Sequence, residues 1–429
     1  MTLQERINQG HMSTYQWGIV LLVTSLNLLD GFDVLALAFT ASAIKSSFGL
    51  SGVELGYLLS AGLIGMAVGS IVLAPIADTI GRRKLIIFSL LLSTIGMFGS
   101  AISMGVLSLG IARVITGLGV GGILVGTNVI VSEYASNKWR NLAISIFASG
   151  FGIGAMLGGI FAVALQGTYG WHSVFISGGI LTLICLVAVI KWLPESIDFI
   201  VLKGGSKQQE QLESIANTLR ITEPWTQESK DTSQKVQLPV SKLFSPEYRR
   251  PVFAIWIAFA AIMFSYYFVS SWTPALLKEV GMTTEQSVSV GMMISIGGTI
   301  GSLIFGVLAS RFTARNVLIA FTIGSAIVAS VFISVVSHLW IAIVLGICIG
   351  ALMNGCISGL YAINPTLYEA GLRSTGVGIA IGVGRVGAIL APTIAGVLLD
   401  AGWEKQSLYM GAGVVMLVAT AAVGVLKNK

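Results

Sequence analysis

Two carboxylates and two guanidinium groups stand inside long apolar runs of this sequence: Asp30, Asp33, Arg113 and Arg385. An ionised side chain at mid-bilayer costs about 2.5–3.5 kcal/mol even on the lenient insertion scale, so such groups must pair or face a wet cavity. Asp30 and Asp33 are three apart and share one helix face, about 60° from each other. Gly31 between them lets another backbone approach or lets the helix bend. Two adjacent carboxylates resist full joint ionisation, the property needed by a site that loads a proton from one side and unloads it to the other. The histidines do not compete for this role: His11 lies near the start, while His172 and His338 fall at expected outer loops. The alternative for the two acids is a fixed salt bridge to another helix.

Arg385 lies about ten residues into its run, roughly 15 Å deep at 1.5 Å per residue. Its guanidinium is a planar fork matched to a carboxylate, which makes it the candidate ligand for an organic acid. Gly384 and Gly387 are expected to leave room around it; its other possible role is to partner Asp30 or Asp33. Arg113 lies nearer one end of its run, where it either responds to protonation of one of these acids or forms a static bridge. Tyr267 and Trp272, with Tyr266 and Phe268, cluster ahead of Pro274. Asn354, Ser358 and Tyr361 follow i, i+4, i+7 and form one polar stripe, which in lipid should face protein or water. These side chains are candidates to line a mostly apolar cavity with a few placed polar groups. Ordinary packing is the competing reading for each aromatic, and an interfacial anchor for Trp272.

The elements that must position these groups are long helices. The 429-residue chain is 55% hydrophobic and only 10% charged, too little charge to cover a soluble globule of this size. Its 52 glycines suit close helix contact in lipid. Continuous apolar runs exclude a barrel, whose strands would alternate over about 10 residues. Twelve runs are long enough to cross a bilayer: 17–44, 57–77, 85–105, 107–131, 142–166, 173–193, 251–277, 288–310, 317–337, 340–363, 375–398 and 408–426. The polar stretch 194–250 reads as a cytoplasmic linker with a possible amphipathic helix over 206–220. With both termini inside, the cytoplasmic segments hold 20 of the 25 basic residues and the outer ones only Lys45, Lys278 and Lys405. The net charge of +6 is therefore a topology signal and not a nucleic-acid surface. The first run is too long, and carries too many acids, for a cleavable signal. Cys185, Cys348 and Cys356 all lie in apolar runs, spaced for neither a metal nor a disulfide framework.

The halves resemble each other. Gly69-Ser70-Ile71-Val72 through Arg83 aligns with Gly301-Ser302-Leu303-Ile304 through Arg315, and Arg140 aligns with Arg373 at nearly the same offset. Such parallel repeats are a transporter architecture with its site between the halves. The expected organisation is an all-α membrane protein of two six-helix halves, 1–193 and 251–429, joined by the linker 194–250.

The loop Ala74-Pro75-Ile76-Ala77-Asp78-Thr79-Ile80-Gly81-Arg82-Arg83-Lys84 resembles the signature between helices two and three of the major facilitator superfamily. It departs from that pattern at Ala74, usually Gly, and at Thr79, usually basic. Gly306 through Arg311 resembles a degenerate second copy, Arg113 through Gly122 the helix-four signature, and Pro194-Glu195-Ser196 the end of helix six. Asp30-Gly31-Phe32-Asp33 resembles the helix-one signature of the aromatic acid:proton symporters, and Glu133 through Arg140 and Arg385 suit that family. The resemblance implies import of benzoate, hydroxybenzoate, vanillate, muconate or a related acid with protons, across the cell inner membrane. At the cytoplasmic edge Asp78, Gly81, Arg82 and Arg83 are expected to form a gate latch, which Glu133 and Arg140 extend.

The expected partners are a small-molecule carboxylate, H⁺ and the lipid bilayer, with no cofactor, metal or nucleic acid; the architecture works as a monomer. Within transport the alternatives are a proton-driven antiporter exporting drugs or metabolites and a permease for a non-aromatic carboxylate. An enzyme is disfavoured by the lack of metal spacing, nucleophile elbow or phosphate loop. A channel or sensor would need a lining ring or an output domain.

Overall fold

The computed structural model describes residues 1–219, 221, 225, 240–246, 248–336 and 338–426; the side chains of Asp78 and Arg373 are among those outside the described set. Among the described residues the chain is all-helical: α1 (Leu3–Gln9), α2 (Thr14–Phe48), α3 (Gly52–Ile80), α4 (Arg82–Ala101), α5 (Val106–Tyr134), α6 (Arg140–Tyr169), α7 (His172–Trp192), α8 (Ile197–Lys203), α9 (Ser206–Thr218), α10 (Arg249–Glu279), α11 (Thr284–Arg311), α12 (Ala314–Val335), α13 (Leu339–Ile363), α14 (Ala370–Asp400) and α15 (Lys405–Val425). Twelve of these, α2–α7 and α10–α15, are long and apolar enough to cross a membrane. The amphipathic segment expected at 206–220 forms α9.

The apolar runs located every spanning helix but not its ends. α2 has 35 residues, well beyond the roughly 20 that hydrocarbon demands, and includes Lys45 in its last turn. α5 runs on to Tyr134, so Glu133 stands in its last turn and not in the loop after it.

Two compact units divide the described chain. The first comprises Met1–Val34, Ile64–Leu157 and His172–Ser233; the second comprises Leu35–Leu63, Gly158–Trp171 and Gln234–Lys429. In the first, α2 and α6 meet backbone to backbone. A methyl added at Gly31 would collide with the Phe151 carbonyl, and one at Gly154 with the Leu28 carbonyl. Asn27 Nδ2 adds a hydrogen bond to the Phe147 carbonyl at 2.7 Å. Small residues replace apolar bulk here because lipid offers helices no hydrophobic reason to associate, which leaves close contact and hydrogen bonds to hold them. Leu3 and Ile7 of α1, Ile197 and Ile200 of α8, and Leu212 and Ile215 of α9 join the same core. The start of the expected linker is thus folded onto this unit.

In the second unit the same device packs α11 on α13, where Gly301 and Gly350 lie against the carbonyls of Ala351 and Ile294. Asp400, at the end of α14, accepts hydrogen bonds from the backbone N–H of Gly52 at 2.7 Å and of Val53 at 2.8 Å. These are donors that the first turn of α3 cannot satisfy itself.

Candidate functional site

The first-unit acids sit near the middle of α2. Asp33 is 2% exposed and Asp30, one turn earlier, 6%. Arg113 of α5, also 2% exposed, clamps Asp33 with a bidentate fork: Nη1 to Oδ1 at 2.6 Å and Nη2 to Oδ2 at 2.9 Å. Nη2 also donates to the Asp33 backbone carbonyl at 3.0 Å. The guanidinium carbon lies 5.6 Å from the centre of the Phe175 ring on α7. Of the two acids open to Arg113 from sequence, the fork therefore takes Asp33. Such a pair is stable only as a pair, since removing one partner strands a charge out of water. Asp30 stands one turn away on the same helix, beside the Gly31–Phe151 contact.

The second unit places Arg385 half-buried in α14. Its two glycines do not open space around it, which corrects the sequence expectation. Gly384 faces Phe259 and Met263 of α10, and a methyl at Gly387 would strike the Ala260 carbonyl. They let α14 approach α10, and Arg385 projects from a helix fixed in this way. Phe259 also meets the Tyr361 ring edge-on at 5.9 Å between centroids. The Arg385 neighbourhood and the polar stripe of α13 thus share a wall. Along that stripe Asn354 packs on Gly298 of α11, Ser358 is half-buried and Tyr361 exposed. The adjoining face of α13 is sealed, with Gly355 and Gly359 against the rings of Phe321 and Phe305.

Tyr267 is buried and lies edge-on to Tyr266. Trp272 is 1% exposed and its indole N–H is bonded to the Pro392 carbonyl at 3.1 Å. That proline lies inside α14, so Trp272 braces the helix that bears Arg385. The Trp272 N–H is thereby taken up in packing, and an interfacial anchor it is not.

The latch residues form a network around the start of α4 and the end of α5. Arg82 Nη1 donates to Ser196 Oγ at 2.8 Å and lies 3.8 Å from Glu133 Oε1. Glu133 accepts from Ser196 Oγ at 2.9 Å and from the Ile197 N–H at 2.8 Å, which caps α8. Arg83 reaches the Ile190 carbonyl through Nη2 at 2.6 Å, and Arg140 reaches Asn8 Oδ1 at 2.5 Å. The Asp78 side chain lies outside the described residues.

Sequence reasoning did not assign the centre of this network to Glu195. Its Oε1 accepts the backbone N–H of both Arg83 and Ser196 at 2.9 Å, and its own carbonyl accepts the Tyr134 hydroxyl at 2.8 Å. The Pro194-Glu195-Ser196 motif was the available signal, but nothing in its spacing points to α4. Gly81 adopts φ +100°, and a methyl there would press on the Glu195 carboxylate and the Phe199 ring. Gly81→Ala is therefore expected to cost about 1–3 kcal/mol, read as a lowered thermal unfolding midpoint. An unchanged midpoint would show that the latch tolerates a shift of Glu195.

A sequence profile of the Major Facilitator Superfamily matches residues 23–311 and again 289–428. The chain is 29% identical to the 4-hydroxybenzoate transporter PcaK of Pseudomonas aeruginosa, over 99% of this chain and 95% of that protein. It is 30% identical to the 3-(3-hydroxy-phenyl)propionate transporter of Escherichia coli, over 94% and 92%. Among solved structures, the inward-open xylose transporter XylE from E. coli superposes with a TM-score of 0.73 at 17% identity, over 96% of this chain and 97% of that one. The last likeness concerns the fold alone. All three of these proteins are transporters, and none is an enzyme.

Proposed function

Because this chain belongs to the major facilitator superfamily, and is therefore a multi-pass membrane transporter, we propose that it imports a small organic acid, an aromatic carboxylate or a product of ring cleavage, together with protons. The acid is benzoate- or hydroxybenzoate-like, or a ring-cleavage product such as muconate. The carrier works by alternating access of two six-helix halves, 1–193 and 251–429, linked by 194–250. It is a monomer in the cell inner membrane with both termini in the cytoplasm. The skew of basic residues supports that orientation, and the internal similarity supports the halves.

The observation that carries the coupling is the buried Asp33–Arg113 fork with Asp30 one turn away. Protonation of Asp33 would release Arg113 from its partner and change the interactions that α2 and α5 can make. Arg385 is the group that receives the substrate carboxylate. Tyr267, Asn354, Ser358 and Tyr361 contribute the apolar wall and the few hydrogen bonds that a hydroxylated ring needs, and Trp272 supports that wall from behind. The aromatic class is drawn from the two relatives, whose names both specify aromatic acids.

Coupling has an electrical reason. Moving one negative charge into a negative interior costs roughly 2.3 kcal/mol per 100 mV. One accompanying proton cancels the charge, and a second turns the potential into a driving force. Uptake by purified carrier in liposomes should therefore rise as the outside is acidified and fall to the passive level with a protonophore. A panel of aryl carboxylates, muconate and aliphatic dicarboxylates under one imposed pH gradient tests both parts. Uptake that survives collapse of the gradient refutes symport, and uptake of the aliphatic dicarboxylates alone, without any aryl carboxylate or muconate, refutes the assignment of the acid.

A further inference from the structure

Away from the buried charges, the second unit holds a cavity of about 960 Å³ where α10 and α12 begin and α13 and α15 end. Three arginines line it: Arg249 and Arg250 in the first turn of α10, and Arg315 near the start of α12. Arg315 is pinned in place, donating from Nη2 to the Gly424 carbonyl at 2.5 Å and from Nε to the Val423 carbonyl at 3.3 Å. Arg249 and Arg250 are exposed, and among the described residues no carboxylate pairs with either. Glu369 accepts the hydroxyl of Tyr248, a lining residue, and pairs with Lys242 at 3.4 Å. Among the described residues the lining carries three arginines and no carboxylate.

A second hollow of about 610 Å³ continues from the same two arginines along α10 and α15. Beyond Arg249 and Arg250 its lining is wholly apolar, with Phe253, Ile257, Ala422 and Val425. Phe253, Ile257 and Val425 are exposed, on helices that are spanning segments, so this hollow opens toward hydrocarbon. A soluble anion would use the first hollow and leave the second empty. A molecule with a phosphate at one end and an acyl chain at the other fills both.

We propose that these joined hollows bind one anionic phospholipid, its phosphate held by Arg249, Arg250 and Arg315 and an acyl chain lying along Phe253 and Ile257. Guanidinium groups suit a phosphate diester because they are weakly hydrated and present paired donors. Three cations favour a head group of net negative charge over a zwitterion. Basic pockets between membrane helices are a known form of such recognition. The site is separate from the proposed transport residues and does not depend on the substrate reading.

Native mass spectrometry of the full-length protein in detergent tests it, with phosphatidylglycerol, phosphatidylcholine of the same chains, and glycerol phosphate as the head group alone. The wild type should retain one phosphatidylglycerol in preference to phosphatidylcholine. The Arg249→Gln/Arg250→Gln variant should lose about 30-fold in apparent affinity, while Arg249→Lys/Arg250→Lys keeps most of it. Ile257→Trp, which fills the apolar hollow and leaves every charge, should also weaken phosphatidylglycerol and so provides a second reading if the Gln pair fails to fold. Equal retention by the Gln pair or by Ile257→Trp overturns the proposal, as does equal retention of phosphatidylcholine. Displacement of the lipid by glycerol phosphate at matching concentration overturns it in favour of a soluble anion.

Discussion

Asp33→Asn is expected to destabilise the protein by about 3–5 kcal/mol and to abolish proton-driven accumulation, because it leaves the Arg113 guanidinium buried without its counter-charge. The magnitude follows from geometry. Both residues are 2% exposed, and two of the guanidinium nitrogens bind the two carboxylate oxygens directly. Water cannot replace the lost carboxylate at such a depth. Stability and coupling can be separated by a second substitution. Asp33→Asn combined with Arg113→Met removes both charges, and replacing a whole buried pair with apolar groups is often close to neutral. The double variant should therefore regain most of its thermal midpoint while still failing to accumulate substrate under a pH gradient. If it accumulates substrate as the wild type does, the fork is a structural brace and the proton is carried elsewhere.

Arg385→Ala should weaken the apparent affinity for an aryl carboxylate by about 2–4 kcal/mol, roughly 30- to 1000-fold, the range for losing one partner of a desolvated charge pair. Arg385→Lys should fall between, since an ammonium keeps the charge but loses the planar fork. Arg385 is only half-buried, so neither variant should approach the stability loss of Asp33→Asn. Concentration dependence of uptake, measured beside the unfolding midpoint, distinguishes loss of a ligand from loss of fold. Wild-type affinity in both variants would remove Arg385 from the binding site.

How much of this was legible in the sequence follows from what hydropathy measures. A window of apolar residues reports hydrocarbon thickness, so all twelve spans were readable, and the helix ends were not. Glu133 and Lys45 belong to last turns because a helix continues past the hydrocarbon wherever its charges reach a partner; Lys45 pairs with Glu279 at 3.0 Å. The intramembrane charges were legible as exceptions to composition. The choice of Asp33 over Asp30 by Arg113 was not, because it depends on the rotation of α2 against α5 between residues 80 positions apart. Glu195 escaped for a related reason. It caps a backbone N–H at Arg83, and a backbone donor carries no residue type to recognise. Gly384 and Gly387 serve the contact with α10 and not a ligand, and a glycine pattern alone does not tell which of the two fills the vacant side.

The contact between α2 and α6 also sets how Asp30 and Asp33 can travel. At Gly31 and Gly154 each backbone rests in a notch of the other, too shallow to admit even a methyl. Surfaces keyed together in this way resist sliding along their length, because any axial shift drives a carbonyl into the opposite chain. Asp30 and Asp33 are consequently mounted on a stiff beam two helices thick. The two carboxylates are thereby held in register with Phe151, and a change in what surrounds them has to come from helices outside this pair.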